Sequence, residues 1–109
     1  MRTAQRLNPE GGYLYFLLLG RAYLFENDVE PAMINLREAA ARNPVDLETR
    51  IYLAATIAAT GHRSGAQWAA DEVRALEPDF SLQRWFESYP LSSTRYRERL
   101  AHLLAMAGL

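Results

Sequence analysis

A chain of 109 residues, half of them hydrophobic and with a net charge of −1, has the makings of one soluble globular domain and lacks the composition of a disordered chain. Near charge balance offers no general attraction to nucleic acid or to an anionic membrane, partners that reward a strongly basic surface. Cysteine is absent, which excludes disulfides, thiolate metal sites and a cysteine nucleophile. All 12 cations are arginine, which together with abundant alanine points to a GC-rich bacterial genome.

In chain order, the start carries no apolar stretch of signal-peptide type, and the longest hydrophobic run, Tyr13 to Leu19, is too short to cross a bilayer. A cytoplasmic location is expected. AQRLNP, Ala4 to Pro9, resembles the later stretches AAARNP and VRALEP, which each close a long amphipathic segment; it therefore reads as the end of a helix pair that begins upstream. Apolar spacing predicts helices over Tyr13 to Glu26, Val29 to Arg42, Leu47 to Thr60 and Gly65 to Leu76. Asp28 and Asp46 stand where N-caps belong, and Ser64 with Gln67 forms a capping box. Pro31 falls in a first helical turn, where its missing N–H costs little, while Pro44 and Pro78 stop the helices before them. After Phe80 the pattern breaks, then resumes as a stripe of Tyr96, Leu100, Leu103, Leu104 and Ala107 behind an N-cap in Ser92-Ser93-Thr94, with Gly108 as its stop.

The first four helices repeat. The interval that carries Pro44 to Pro78 also carries Ala32 to Ala66, Leu36 to Ala70, Ala39 to Val73 and Asn27 to Gly61. Phe16, Leu19, Gly20 and Tyr23, followed by Ala32, Leu36, Ala39 and Pro44, resemble the tetratricopeptide repeat, whose signature runs W-x2-L-G-x2-Y, A-x3-F, A, P and whose period is the same interval. The second unit keeps Leu53, Gly61, Ala66 and Pro78 but carries Arg50, Ala54, Ile57 and Ala70 at other signature positions. The resemblance implies an all-α fold, a right-handed superhelix of helix pairs with a C-terminal capping helix. Residues 1–9 would end a truncated upstream repeat, 13–46 and 47–80 would be repeats, and 81–109 the cap. The tail, PDFSLQRW and the helix after it, also looks like the C-terminal end of bacterial multidomain signalling proteins in which such repeats follow a class III adenylate/guanylate cyclase domain, although no cyclase motif is present.

Tetratricopeptide repeats are protein-interaction scaffolds, so the resemblance implies a module that binds a protein or peptide, or another domain of its own parent, and that needs no cofactor. Family peptides lie on the concave face. Its positions here would be Leu14, Leu17, Arg21, Leu24 and Phe25 in the first unit, then Glu48, Ile51, Ala55, Ala58 and Ala59 in the second. This face is mostly apolar, and its cover could be the chain itself, a partner peptide or a second copy. On the opposite face, Ile34 and Trp68 occupy equivalent positions beside Met33 and would form a convex interface, for a homodimer or a domain of the parent, unless Trp68 packs beneath the segment after Phe80.

Other chemistries are poorly served. A carboxylate clamp for acidic peptide termini needs lysines and amides on the concave face, where Arg21 is the single cation and Glu48 repels. His62 and His102 belong to no metal-ligand spacing and read as solvated, so catalysis in this segment is not expected. Arg84, Arg95, Arg97 and Arg99 with Trp85 and Tyr96 are the best nucleic-acid feature, but Glu87 and Glu98 dilute them. The period and the apolar helices also fall short of a helical-repeat RNA reader, which reads each base with polar side chains.

Overall fold

The computed structural model of the protein describes residues 12–88 and 93–109. The segment 1–9, read above as the end of an upstream pair, lies outside the described residues, as do residues 89–92. Among the described residues the fold is all-α, with six helices and no strand. They are α1 (Tyr13–Phe25), α2 (Val29–Arg42), α3 (Leu47–Ala59), α4 (Arg63–Leu76), α5 (Leu82–Ser88) and α6 (Thr94–Ala107). Every boundary of the pair α3/α4 follows its counterpart in α1/α2 by the interval that separates Pro44 from Pro78, so the period seen in the residues is also the period of the structure.

Each pair closes through a three-residue turn that needs a left-handed backbone. Asn27 takes φ 67° in the first turn and Gly61 φ 81° in the second, which accounts for their alignment, since asparagine and glycine tolerate that region best. Within each pair, small residues set the approach of the helices. Gly20 is buried on α1, where a β-carbon would stand 2.5 Å from Cγ of Leu36 on α2. The equivalent positions are Ala54 and Ala70, both fully buried, so the β-carbon present on α3 faces a side chain three carbons shorter on α4.

Capping follows the sequence in part. Asp46 caps α3, its carboxylate accepting from Thr49 N at 2.9 Å and from Thr49 Oγ1 at 2.7 Å, which also satisfies a fully buried hydroxyl. Asp28 makes no side-chain cap bond. The capping box expected of Ser64 and Gln67 is not formed: α4 starts at Arg63, ahead of the expected Gly65, and its N-cap is His62, whose Nδ1 accepts from Gly65 N at 3.1 Å. The imidazole can lie against the helix start because residue 65 lacks a β-carbon, which would come within 2.7 Å of Nδ1. Ser93 caps α6 and Gly108 ends it at φ 100°, as the sequence indicates.

The pairs stack, with α2 packed on α3, and α6 returns to lie against α3 and α4. Leu100, Leu103, Leu104 and Ala107 of α6 are buried in one core with Leu17, Leu24, Leu36, Ile51 and Val73. Helix α5 is the element that apolar spacing did not predict. It is seven residues long, and Arg84 N donates to Ser81 Oγ at its start. No described helix is long and apolar enough to cross a membrane.

Candidate interaction surfaces

The face of α1 and α3 read above as concave is largely filled from within the chain. Ile51, Ala55 and Ala58 on α3 are at most 4% exposed, Ala59 is half-buried, and α6 lies along this helix. On α1, Leu17 and Leu24 are buried and Phe25 is half-buried, while Leu14 stands 53% exposed on a side shared with the exposed Tyr15 and Leu18. Arg21 and Glu48, the two charged positions, form an ion pair at 3.2 Å, with Arg21 also 5.8 Å above the ring centroid of Tyr52. Both side chains keep some exposure, so the pair is a link between α1 and α3 of modest strength.

Helix α6 is held across this face by aromatic packing. The rings of Tyr96 and Phe25 stack at 4.4 Å and 10° from parallel. Phe25 meets Tyr52 edge-on, and Tyr52 in turn meets Trp85 of α5. Trp85 contacts Phe86, over which Arg97 of α6 places its guanidinium while donating to the Phe86 carbonyl at 3.3 Å. At the far end Arg74 of α4 donates to the carbonyl of Gly108. One helix therefore contacts the end of α1 and both helices of the second pair. Tyr52, fully buried, is the hub of this arrangement and was not among the residues singled out in the sequence. Its position beside Ile51 on a helix apolar nearly all round, followed by Leu82, Trp85 and Phe86 at one-turn spacing behind Ser81, was the available signal.

The opposite face is open. Ile34 on α2 is 63% exposed and Trp68 on α4 is 59% exposed, and Met33 is half-buried. Between α2 and α4 runs a groove of about 440 Å³ with Leu53 and Ile57 of α3 in its floor and Met33, Arg37 and Trp68 on its walls. Trp68 is thus not buried beneath α5; the tryptophan that packs against the core there is Trp85, on α5 itself.

The remaining candidates have local roles. His62 caps α4, and His102 is exposed on α6. Among the described residues no group of three His, Cys, Asp or Glu side chains is placed to hold a metal. Arg84 donates to the Asp79 carbonyl, and Arg97 binds α5 to α6 as described. Arg95 is exposed, and Arg99 is half-buried.

No protein-family model matches the chain, and comparisons with curated proteins and with solved structures likewise find no match.

Proposed function

We propose that the chain is a protein-interaction module of tetratricopeptide type, with repeats over 13–46 and 47–80 and a capping segment over 81–109, and that its inner face is a helix-accepting groove occupied in cis by α6. The observation that carries this reading is the seat of α6. An amphipathic helix lies on α3 and α4 of the second pair and reaches α1 of the first through Tyr96 stacked on Phe25, with Leu100 and Leu104 in the core. Placing apolar anchors of a helix in a groove between other helices is a common mode of peptide recognition. The chain carries its own example. A partner helix with the same anchor spacing would compete for the groove, and the exposed Leu14, Tyr15 and Leu18 on α1 offer a second apolar face on which a further helix pair could stack.

The test is exchange of α6. A protease site introduced between Ser88 and Ser93 leaves every residue present after cutting, and a labelled peptide of residues 93–109 is then added in excess. The cut protein should keep its helical circular dichroism and take up the labelled peptide saturably. Unfolding on cutting, or a folded cut protein that takes up no peptide, would show that α6 is a core element and not a groove ligand.

A further inference from the structure

The outer face has its own logic, independent of the inner groove. Along α2, Glu30, Ile34, Arg37 and Ala41 are all exposed and share one stripe, with an acid one turn before the isoleucine and a base one turn after it. Glu30 and Arg37 have no hydrogen-bond or ion-pair partner among the described residues. Ile34 and Trp68 hold the same position in matched helices, and the groove between them has Met33 and Arg37 on its α2 wall and Trp68 on its α4 wall.

A stripe of this kind is complementary to itself. When two copies of α2 run antiparallel about a two-fold axis that crosses at Ile34, residue 37 of each faces residue 30 of the other, because the two positions are about equidistant from the axis. Glu30 then meets Arg37 of the second copy twice, around a centre made of two Ile34 side chains. The same axis, passing the matched position on α4, brings the two Trp68 side chains together over the facing grooves, with Ser64 opposite Asp71. A parallel arrangement of α2 on α2 would instead set Glu30 on Glu30 and Arg37 on Arg37, and is disfavoured.

We infer that the groove between α2 and α4 is the interface of a two-fold dimer, occupied by the α2/α4 face of a second copy in antiparallel register. Each face is small. Two 14-residue helices side by side cover roughly 20 Å by 20 Å, so about 800 Å² is buried in total, below the ~1,200–2,000 Å² of stable interfaces and in the range of weak, transient ones. The dimer is therefore a concentration-dependent equilibrium and not an obligate assembly.

Sedimentation equilibrium on the full chain from about 1 to 200 µM, a span suited to an interface of this size, tests the surface and the register separately. The natural sequence should pass from monomer to dimer, and Ile34→Glu with Trp68→Arg should remain monomeric while keeping its helical circular dichroism. Arg37→Glu alone and Glu30→Arg alone should each weaken the dimer at least tenfold, since each sets like charges opposite one another. Mixed in equal amounts, the two single variants should associate again as a heterodimer, with one face all acidic at these positions and the other all basic. A natural chain that stays monomeric throughout, or a dimer that the charge reversals leave intact, overturns the proposal. So does a pair of weakened variants that mixing fails to restore, because Glu30 and Arg37 would then not face each other across the interface.

Discussion

Two side chains in each pair decide how close its helices come, and the cost of altering one depends on the other. Leu36 occupies the space that a β-carbon on Gly20 would need. Gly20→Ala should therefore cost about 1–3 kcal/mol through overpacking, and Leu36→Ala about 2–5 kcal/mol through lost burial and a cavity. The double variant recreates the alanine pair found at Ala54 and Ala70, and its cost in urea unfolding should fall short of the sum of the singles by at least ~1 kcal/mol. Additive costs would mean that the two sites do not share one volume. The pair Asp46 and Thr49 shows the same economy in polar form, one carboxylate serving both a helix end and a buried hydroxyl.

At the scale of the element, α6 sorts its residues sharply. Leu104 is fully buried against the second pair, while Met106, two residues on, is 49% exposed. Leu104→Ala should destabilise the protein by about 2–5 kcal/mol, as for other core leucines, and Met106→Ala by no more than ~0.5 kcal/mol. Thermal melts followed by circular dichroism would read the difference; equal effects would contradict the seat of α6. Helix α5 illustrates a different limit. Seven residues show one turn of apolar spacing and no repeat of it, and the stability of α5 comes from Trp85 and Phe86 packing on Tyr52 and Arg97, contacts supplied by other helices.

For the molecule as a whole, α6 changes how the stack should unfold. Repeats that touch only their neighbours can come apart piecemeal. Here one helix reaches Phe25 of the first pair through Tyr96, lies on α3, and is tied to α4 through Arg74, so distant elements share a single contact partner. The radius of gyration, 13.6 Å, is close to the ~13 Å of a globular domain of this length, as expected of a chain folded back on itself. Unfolding in urea should be a single transition. Tryptophan fluorescence, from Trp68 on α4 and Trp85 on α5, should share its midpoint with far-ultraviolet circular dichroism; two separated midpoints would show that the pairs melt independently.

The helix pairs, the interval at which they recur, the caps at Asp46 and Ser93 and the stops before Pro44 and at Gly108 were all readable in the sequence, because each rests on chemistry within a few residues of its own position. Where local signals compete, the backbone chose between neighbours, as His62 did over Ser64. The identity of the groove's occupant was of another kind. Apolar burial has no direction of its own, so Ile51 and Ala55 on one helix and Leu100 and Leu104 on another each call for cover without specifying its source. Only the placement of α6, which sets Tyr96 on Phe25, decides that the two faces cover each other and that Ile34 and Trp68 are left at the surface.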